Sequence, residues 1–221
     1  QYFAEVPRGP AIERSGAAPA PLARDTSGVL EDRVQLARLY YTWPTVQNLA
    51  PDDAALDLLG YVLAGEKNSR LTQSLVYESQ VASDVEAYQD GKRVAGDFTV
   101  VAKAKTDRAL PPLQDLIERE LIRLAAEGPT PHELDQAKNA FEASYLRRLE
   151  TVRGKADALN SFYVRTGQPD GFQADLNRYQ ALTAADIQRV AKHYLQAPRV
   201  TLSVVPMGRS DLAAKNVEVV P

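Results

Sequence analysis

Few residues of this chain are equipped to do chemistry. It holds two histidines, His132 and His193, and no cysteine. Neither histidine has a second one four residues away, the spacing at which a helix turns two imidazoles toward one zinc ion. The lack of cysteine removes disulfides and thiolate metal sites, and fits a reducing cytosol as well as a periplasm. His132 and Glu133 follow Thr130-Pro131 as a capping box with proline at the first helical position, so Glu133 returns a hydrogen bond to the Thr130 backbone. That pattern explains the pair without a metal. His193 stands beside Tyr194 in a late helix, where a solvated structural role is expected. Paired carboxylates can do acid-base work, and Asp52, Asp53, Glu78 and Asp84 are candidates. Asp52-Asp53, however, falls at a helix start, where the helix dipole favours negative charge, and the spacing of the others supports no pair. Arg147-Arg148 reads as a solvated face. No catalytic residue and no metal ligand is assigned.

The elements that would position any site are legible from periodicity. The 221 residues suffice for one sizeable core. Apolar residues make up 44% and charged residues 25%, with 26 basic against 29 acidic side chains, so nothing points to a nucleic-acid or anionic-membrane surface. No run of about 18 apolar residues occurs. The start, Gln1-Tyr2-Phe3, lacks an initiating methionine and a signal-peptide pattern, and the chain is expected to begin mid-protein.

Residues 7 to 30, rich in Pro, Gly, Ala and Ser, read as an extended connection, with folding expected from Glu31. A strand is expected from Val34 to Trp43, ended by Pro44. Pro51 suits a first helical position, and Ala55, Leu58, Leu59, Val62 and Leu63 then form one apolar stripe up to Gly65. Ser69 is expected to cap a short helix through Tyr77. Val81 to Gln89 and Asp97 to Lys105 read as a hairpin turning at Asp90-Gly91. Helices are expected over Pro111 to Glu127, onward from Thr130, over Lys155 to Thr166, Gly171 to Gln180, and Ala184 to Leu195, the last capped by Thr183 with Asp186. Val200 to Val205 closes as a strand. Tight hairpins make strands antiparallel, so the class is α+β: a mainly antiparallel sheet with helices packed on one face.

Several segments in order carry a resemblance: Trp43-Pro44 at a strand end, Ala50-Pro51-Asp52-Asp53-Ala54-Ala55-Leu56, Ser69-Arg70-Leu71, Leu75-Val76-Tyr77-Glu78, and Thr130 to Leu134 followed by Ala137-Lys138. Together they resemble the insulinase/pitrilysin (inverted zincin) zinc peptidases, over Tyr2 to Met207. The resemblance implies a mitochondrial-processing-peptidase-like metallohydrolase domain, with residues 1–30 the end of a preceding domain and linker, 31–209 a closing domain and 210–221 a tail. In that family one domain supplies H-x-x-E-H and a distant Glu to zinc, which acidifies a water while the non-ligand Glu takes its proton. A homologous domain, in the same chain or a partner subunit, closes the chamber.

Closing domains of this family can also donate an Arg and a Tyr, seven positions apart, to the scissile region. With Ser69-Arg70-Leu71 in register those positions hold Val76 and Ser83, neither of which can stabilise an oxyanion as Arg or Tyr would. Arg70 and Tyr77 share the spacing only out of register. The resemblance therefore implies a non-catalytic, inactive domain that helps enclose a peptide or unfolded protein. Its strand Val81 to Gln89 is expected to present backbone to that peptide, with Val85, Ala87 and Tyr88 as wall residues. No cofactor is expected in this chain, and zinc only in the parent protein. No nucleic-acid or membrane partner is expected. A Gram-negative periplasm is the expected compartment by resemblance, with the cytoplasm still open. The alternative from another class is a proteolytically inactive scaffold or peptide-binding subunit.

Overall fold

The structure, a computed structural model, describes residues 5–7, 9–10 and 21–216. The expected features at Tyr2-Phe3, Arg8, residues 11–20 of the connection and 217–221 of the tail lie outside the described residues. One sheet runs in the order β1-β5-β2-β4-β3, from β1 (Thr26–Asp32), β2 (Arg38–Thr45), β3 (Ala82–Gly91), β4 (Gly96–Ala104) and β5 (Val200–Pro206). Neighbours are antiparallel except β1 and β5, which run parallel. Helices α1 (Asp53–Gly60), α2 (Leu110–Glu127), α3 (Pro131–Arg148), α4 (Val152–Thr166), α5 (Phe172–Ala181) and α6 (Ala184–Leu195) complete the α+β fold.

One face of the sheet is the core face. On β2, Leu39, Tyr41 and Trp43 are buried, while Arg38, Tyr40 and Thr42 between them are only partly covered, the alternation of a strand with one packed face. Their partners Ala102, Val100 and Phe98 on β4 continue that face. Helices α1, α2 and α6 pack on it. Leu56, Leu58 and Leu59 of α1 are wholly buried, each stabilising by about 2 kcal/mol relative to exposure.

Both expected capping boxes form: Thr130 with Glu133 on α3, and Thr183 with Asp186 on α6. Other expectations need correction. Residues 26–30, assigned to the connection, belong to β1. Their sequence has no clean alternation, and the strand exists by pairing with β5 some 170 residues later, Val29 opposite Ser203. Pro44 does not end β2, because β5 pairs only with Arg38 to Thr42 and no neighbour on that side needs the missing N–H. The hairpin turns at residues 92–95, where the Lys92 N–H bonds the Ala95 carbonyl at 2.9 Å. Helix α4 starts at Val152, capped by Thr151. Ser69 does not cap forward. Its hydroxyl donates back to the Tyr61 carbonyl at 2.9 Å and accepts from the Glu66 N–H at 2.9 Å, stapling two wide π-helical segments, Tyr61–Gly65 and Thr72–Glu78. Residues 210–216, read as tail, are packed: Leu212 and Ala214 are buried, the Ala214 N–H bonds Ser203 Oγ at 3.1 Å, and Ser27 Oγ donates to the Asn216 carbonyl at 2.9 Å.

Candidate functional site

Strand β3 is an edge strand, so one row of its backbone N–H and C=O groups has no strand partner. The side chains of the three expected wall residues do not share a face. Val85 lies opposite Ala102 on the core face and is 6% exposed, so its side chain cannot touch a peptide. Ala87 points the same way, half-buried, while Tyr88 stands on the opposite face, 44% exposed. What Val85 and Ala87 offer is backbone. The ladder with β4 is irregular between Ala82 and Asp84, which breaks the flatness of the edge beside Ser83.

Three depressions follow this edge. The first lies between Ser83-Asp84-Val85 and the π-helical residues Val76 and Tyr77. It shares Gly65 with a second, bounded by Ala87-Tyr88-Gln89, Asp57 and Tyr61. Asp57 and Tyr61 are in turn walls of a cavity of about 820 Å³ between α1, α3, α4 and α5. Helix α1 comes close to β3 at Gly60, where an added Cβ would sit 2.7 Å from the Ala87 carbonyl oxygen. Only glycine lets the helix lie so near the edge backbone.

The cavity floor is a polar network. Tyr179 donates to Asp57 Oδ2 at 2.6 Å. Burial raises the Asp57 carboxyl; the Tyr179 hydrogen bond opposes this and nearby Asp53 adds to it, with the result pushed up to about 7. The same burial, with Asp57 opposite, raises the Tyr179 hydroxyl far above the phenol range. Asp175 accepts from Tyr145 at 3.1 Å and from Arg178 Nη1 at 2.8 Å, and Arg178 Nη2 reaches the Ala50 carbonyl at 2.7 Å. Phe141 stacks on Tyr179 at 3.6 Å, and Tyr145 packs against Phe172 at 4.5 Å. These contacts fix α5 against α1 and α3. An acid within the apolar stripe of α1 was the readable sign of this network, and the sequence reading passed over Asp57. Arg147 and Arg148 are exposed as expected and also line the cavity.

The other chemical candidates are dispersed. His132 and His193 are both exposed, on α3 and α6. Asp52 is held by Arg189 at 2.7 Å and Tyr194 at 2.9 Å, and buried Asp53 accepts the Leu49 N–H at 2.8 Å. Glu78 and Asp84 are exposed. Among the described residues no three His, Cys, Asp or Glu side chains gather as metal ligands, so these residues do not fit a zinc ion. Ser83 donates to the Lys103 carbonyl at 3.2 Å, Arg70 is tied to Glu133, and Tyr77 is 48% exposed.

A sequence model of the peptidase M16 inactive domain matches residues 1–141. The chain belongs to this family. It is the insulinase/pitrilysin group that the motifs resemble. Comparison with curated protein sequences finds no match. Among solved structures, a protease from Helicobacter pylori superposes with a TM-score of 0.81 at 22% identity, over 90% of this chain and 48% of its own. The M16 inactive domain structure from Pseudomonas fluorescens gives 0.78 at 20% identity, over 96% and 49%. The periplasmic protease PqqL of Escherichia coli gives 0.63 at 15% identity, over 84% and 21%. At such identities the likeness shows the fold. The chain spans about half the length of the first two structures.

Proposed function

We propose that this M16 inactive domain is a non-catalytic wall of a zinc endopeptidase, presenting the free edge of β3 to an extended peptide that another domain cuts. The observation that carries the reading is the edge position of β3 together with the continuous depressions from Ser83 to the cavity. Backbone pairing at an edge accepts an extended chain of any sequence, which suits enclosure of varied unfolded substrates. Val76 and Ser83, standing where Arg and Tyr would be, leave the domain without a group to stabilise the developing oxyanion. Zinc therefore belongs to a homologous domain, in cis or in a partner subunit, and the periplasm is the compartment proposed.

The test is zinc content and cleavage of a quenched fluorescent peptide, for this chain and for the protein extended to include a homologous domain bearing H-x-x-E-H. Zinc and turnover only in the longer protein support the wall reading. If neither binds zinc nor cuts peptide, the inactive scaffold replaces it; turnover by this chain alone refutes it.

A further inference from the structure

We propose that the cavity between α1, α3, α4 and α5 is a recognition pocket for an acidic stretch of substrate polypeptide that also carries an aromatic side chain. Its size, about 820 Å³, falls within the range of ligand-binding cavities, roughly 300–1,000 Å³. Its apolar walls are aromatic: Phe141, Tyr145, Phe162 and Phe172. Phe141, Tyr145 and Phe172 form one run of contacting rings; Phe141 and Tyr145 are buried, and half-buried Phe162 and Phe172 are the rings against which a further ring can pack edge-on or offset.

The charge around these rings selects the partner. Arg147, Arg148, Arg153 and Arg165 line the cavity together with Asp57, Asp157 and Asp175. Asp157 is matched by Arg153 at 3.7 Å and Asp175 by Arg178 at 2.8 Å, while Asp57 is hydrogen-bonded by Tyr179. Arg147, Arg148 and Arg165 make no ion pair among the described residues. Three arginines thus line the cavity without an ion-pair partner among the described residues, on a chain whose formal net charge is −3. Guanidinium pairs with carboxylate through two parallel hydrogen bonds, so an Asp or Glu side chain is the matching group. Arg148 already rests over the Tyr145 ring at 5.1 Å, which holds its head at the aromatic wall.

A polypeptide fits better than a free anion. The shared walls Asp57 and Tyr61 lead from the cavity to Ala87-Tyr88-Gln89, so a chain lying along β3 reaches the pocket without leaving the surface. The identity of the occupant as substrate rests on the wall reading above; the selectivity of the pocket does not.

The experiment measures binding to this chain of two labelled peptides by fluorescence anisotropy, one alternating Glu and Phe and the other Lys and Phe, at low and high salt. The expected result is acidic-peptide affinity at least about tenfold the stronger, weakened by salt. R147Q/R148Q/R165Q is expected to lower it about tenfold or more at unchanged melting temperature. The single change R165Q on exposed α4 gives a several-fold loss should the triple variant misfold, and Arg119→Gln on α2 leaves binding unchanged. Equal affinity for both peptides, no binding of either, or full affinity in R165Q overturns the pocket. Acidic-peptide binding without turnover by the extended protein leaves the pocket standing and removes the chamber.

Discussion

Arg70 and Glu133, 63 residues apart in sequence, close a two-pronged ion pair: Arg70 Nε to Glu133 Oε1 at 2.7 Å and Nη2 to Oε2 at 2.9 Å. The Arg70 Nη2 also donates to the Gly128 carbonyl at 3.0 Å, and Glu133 Oε2 accepts the Thr130 N–H at 2.7 Å. One carboxylate thus caps α3 and receives the guanidinium from the chain beside β3. The Arg of the Ser-Arg-Leu segment is a structural strut.

Its removal should be felt. The Arg70 side chain is 8% exposed, so Glu133→Gln leaves a largely buried guanidinium without its counter-charge, and a loss of about 2 kcal/mol in urea unfolding is expected. Burial, the largest single influence, raises the Glu133 carboxyl, but the Arg70 hydrogen bond, the Thr130 N–H and the charge of Arg70 together outweigh it and hold the group down at about 2. The folded value lies below the unfolded one. The stability from this group is therefore complete above about pH 4.5 and lost as pH falls through about 2. Glu133→Gln should flatten that acid limb; an unchanged limb would assign it to other groups.

Asp57 works with the opposite sign. Its carboxyl is raised to about 7, so the folded protein retains a proton that the unfolded chain gives up from about pH 4. Its contribution to stability declines as pH rises from about 4 to about 7 and is flat beyond. Asp57→Asn should abolish this decline, making the variant relatively more stable above pH 7 than below pH 4, as melting temperature against pH will show.

At Gly60 the close approach of α1 to the Ala87 carbonyl predicts that Gly60→Ala costs about 2 kcal/mol, because backbone must move to admit the methyl. Hydrogen exchange should quicken first in the β3 amides from Ala87 to Gly91. Uniform quickening across the sheet would contradict a local displacement.

Gly154 lies where an added Cβ would overlap the Arg148 carbonyl. No residue of α4 is fully buried, so Gly154→Ala should lower global stability by less than about 1 kcal/mol while loosening α4. Limited proteolysis should then cut between residues 149 and 166 faster than in the parent.

What the sequence made readable was local. Thr130 with Glu133 and Thr183 with Asp186 each complete a cap within one turn, so their pattern and structure coincide. The β3–β4 hairpin followed from alternation, yet its edge position depends on β4 choosing β2 as its other neighbour, which no short window encodes. β1 was missed because Gly28 and the polar ends of TSGVLED leave only Val29 and Leu30 as strand formers, so it needs β5 to become a strand. The site divides in the same way. Val85, Ala87 and Tyr88 do share one strand, β3, though alternation puts Tyr88 on the other face. The cavity escaped notice because Asp57, Arg147, Arg165 and Tyr179 come from four separate helices.

The hydrogen bond from Ser27 to Asn216 brings the start of β1 and the last described turn to one point on the sheet, while β3 forms the opposite edge. A pull on the polypeptide at these two places would enter and leave the domain beside β1 without crossing the β3–β4 ladder. Load applied between these two places would therefore bypass the β3 edge, leaving the groove along it outside the path of force.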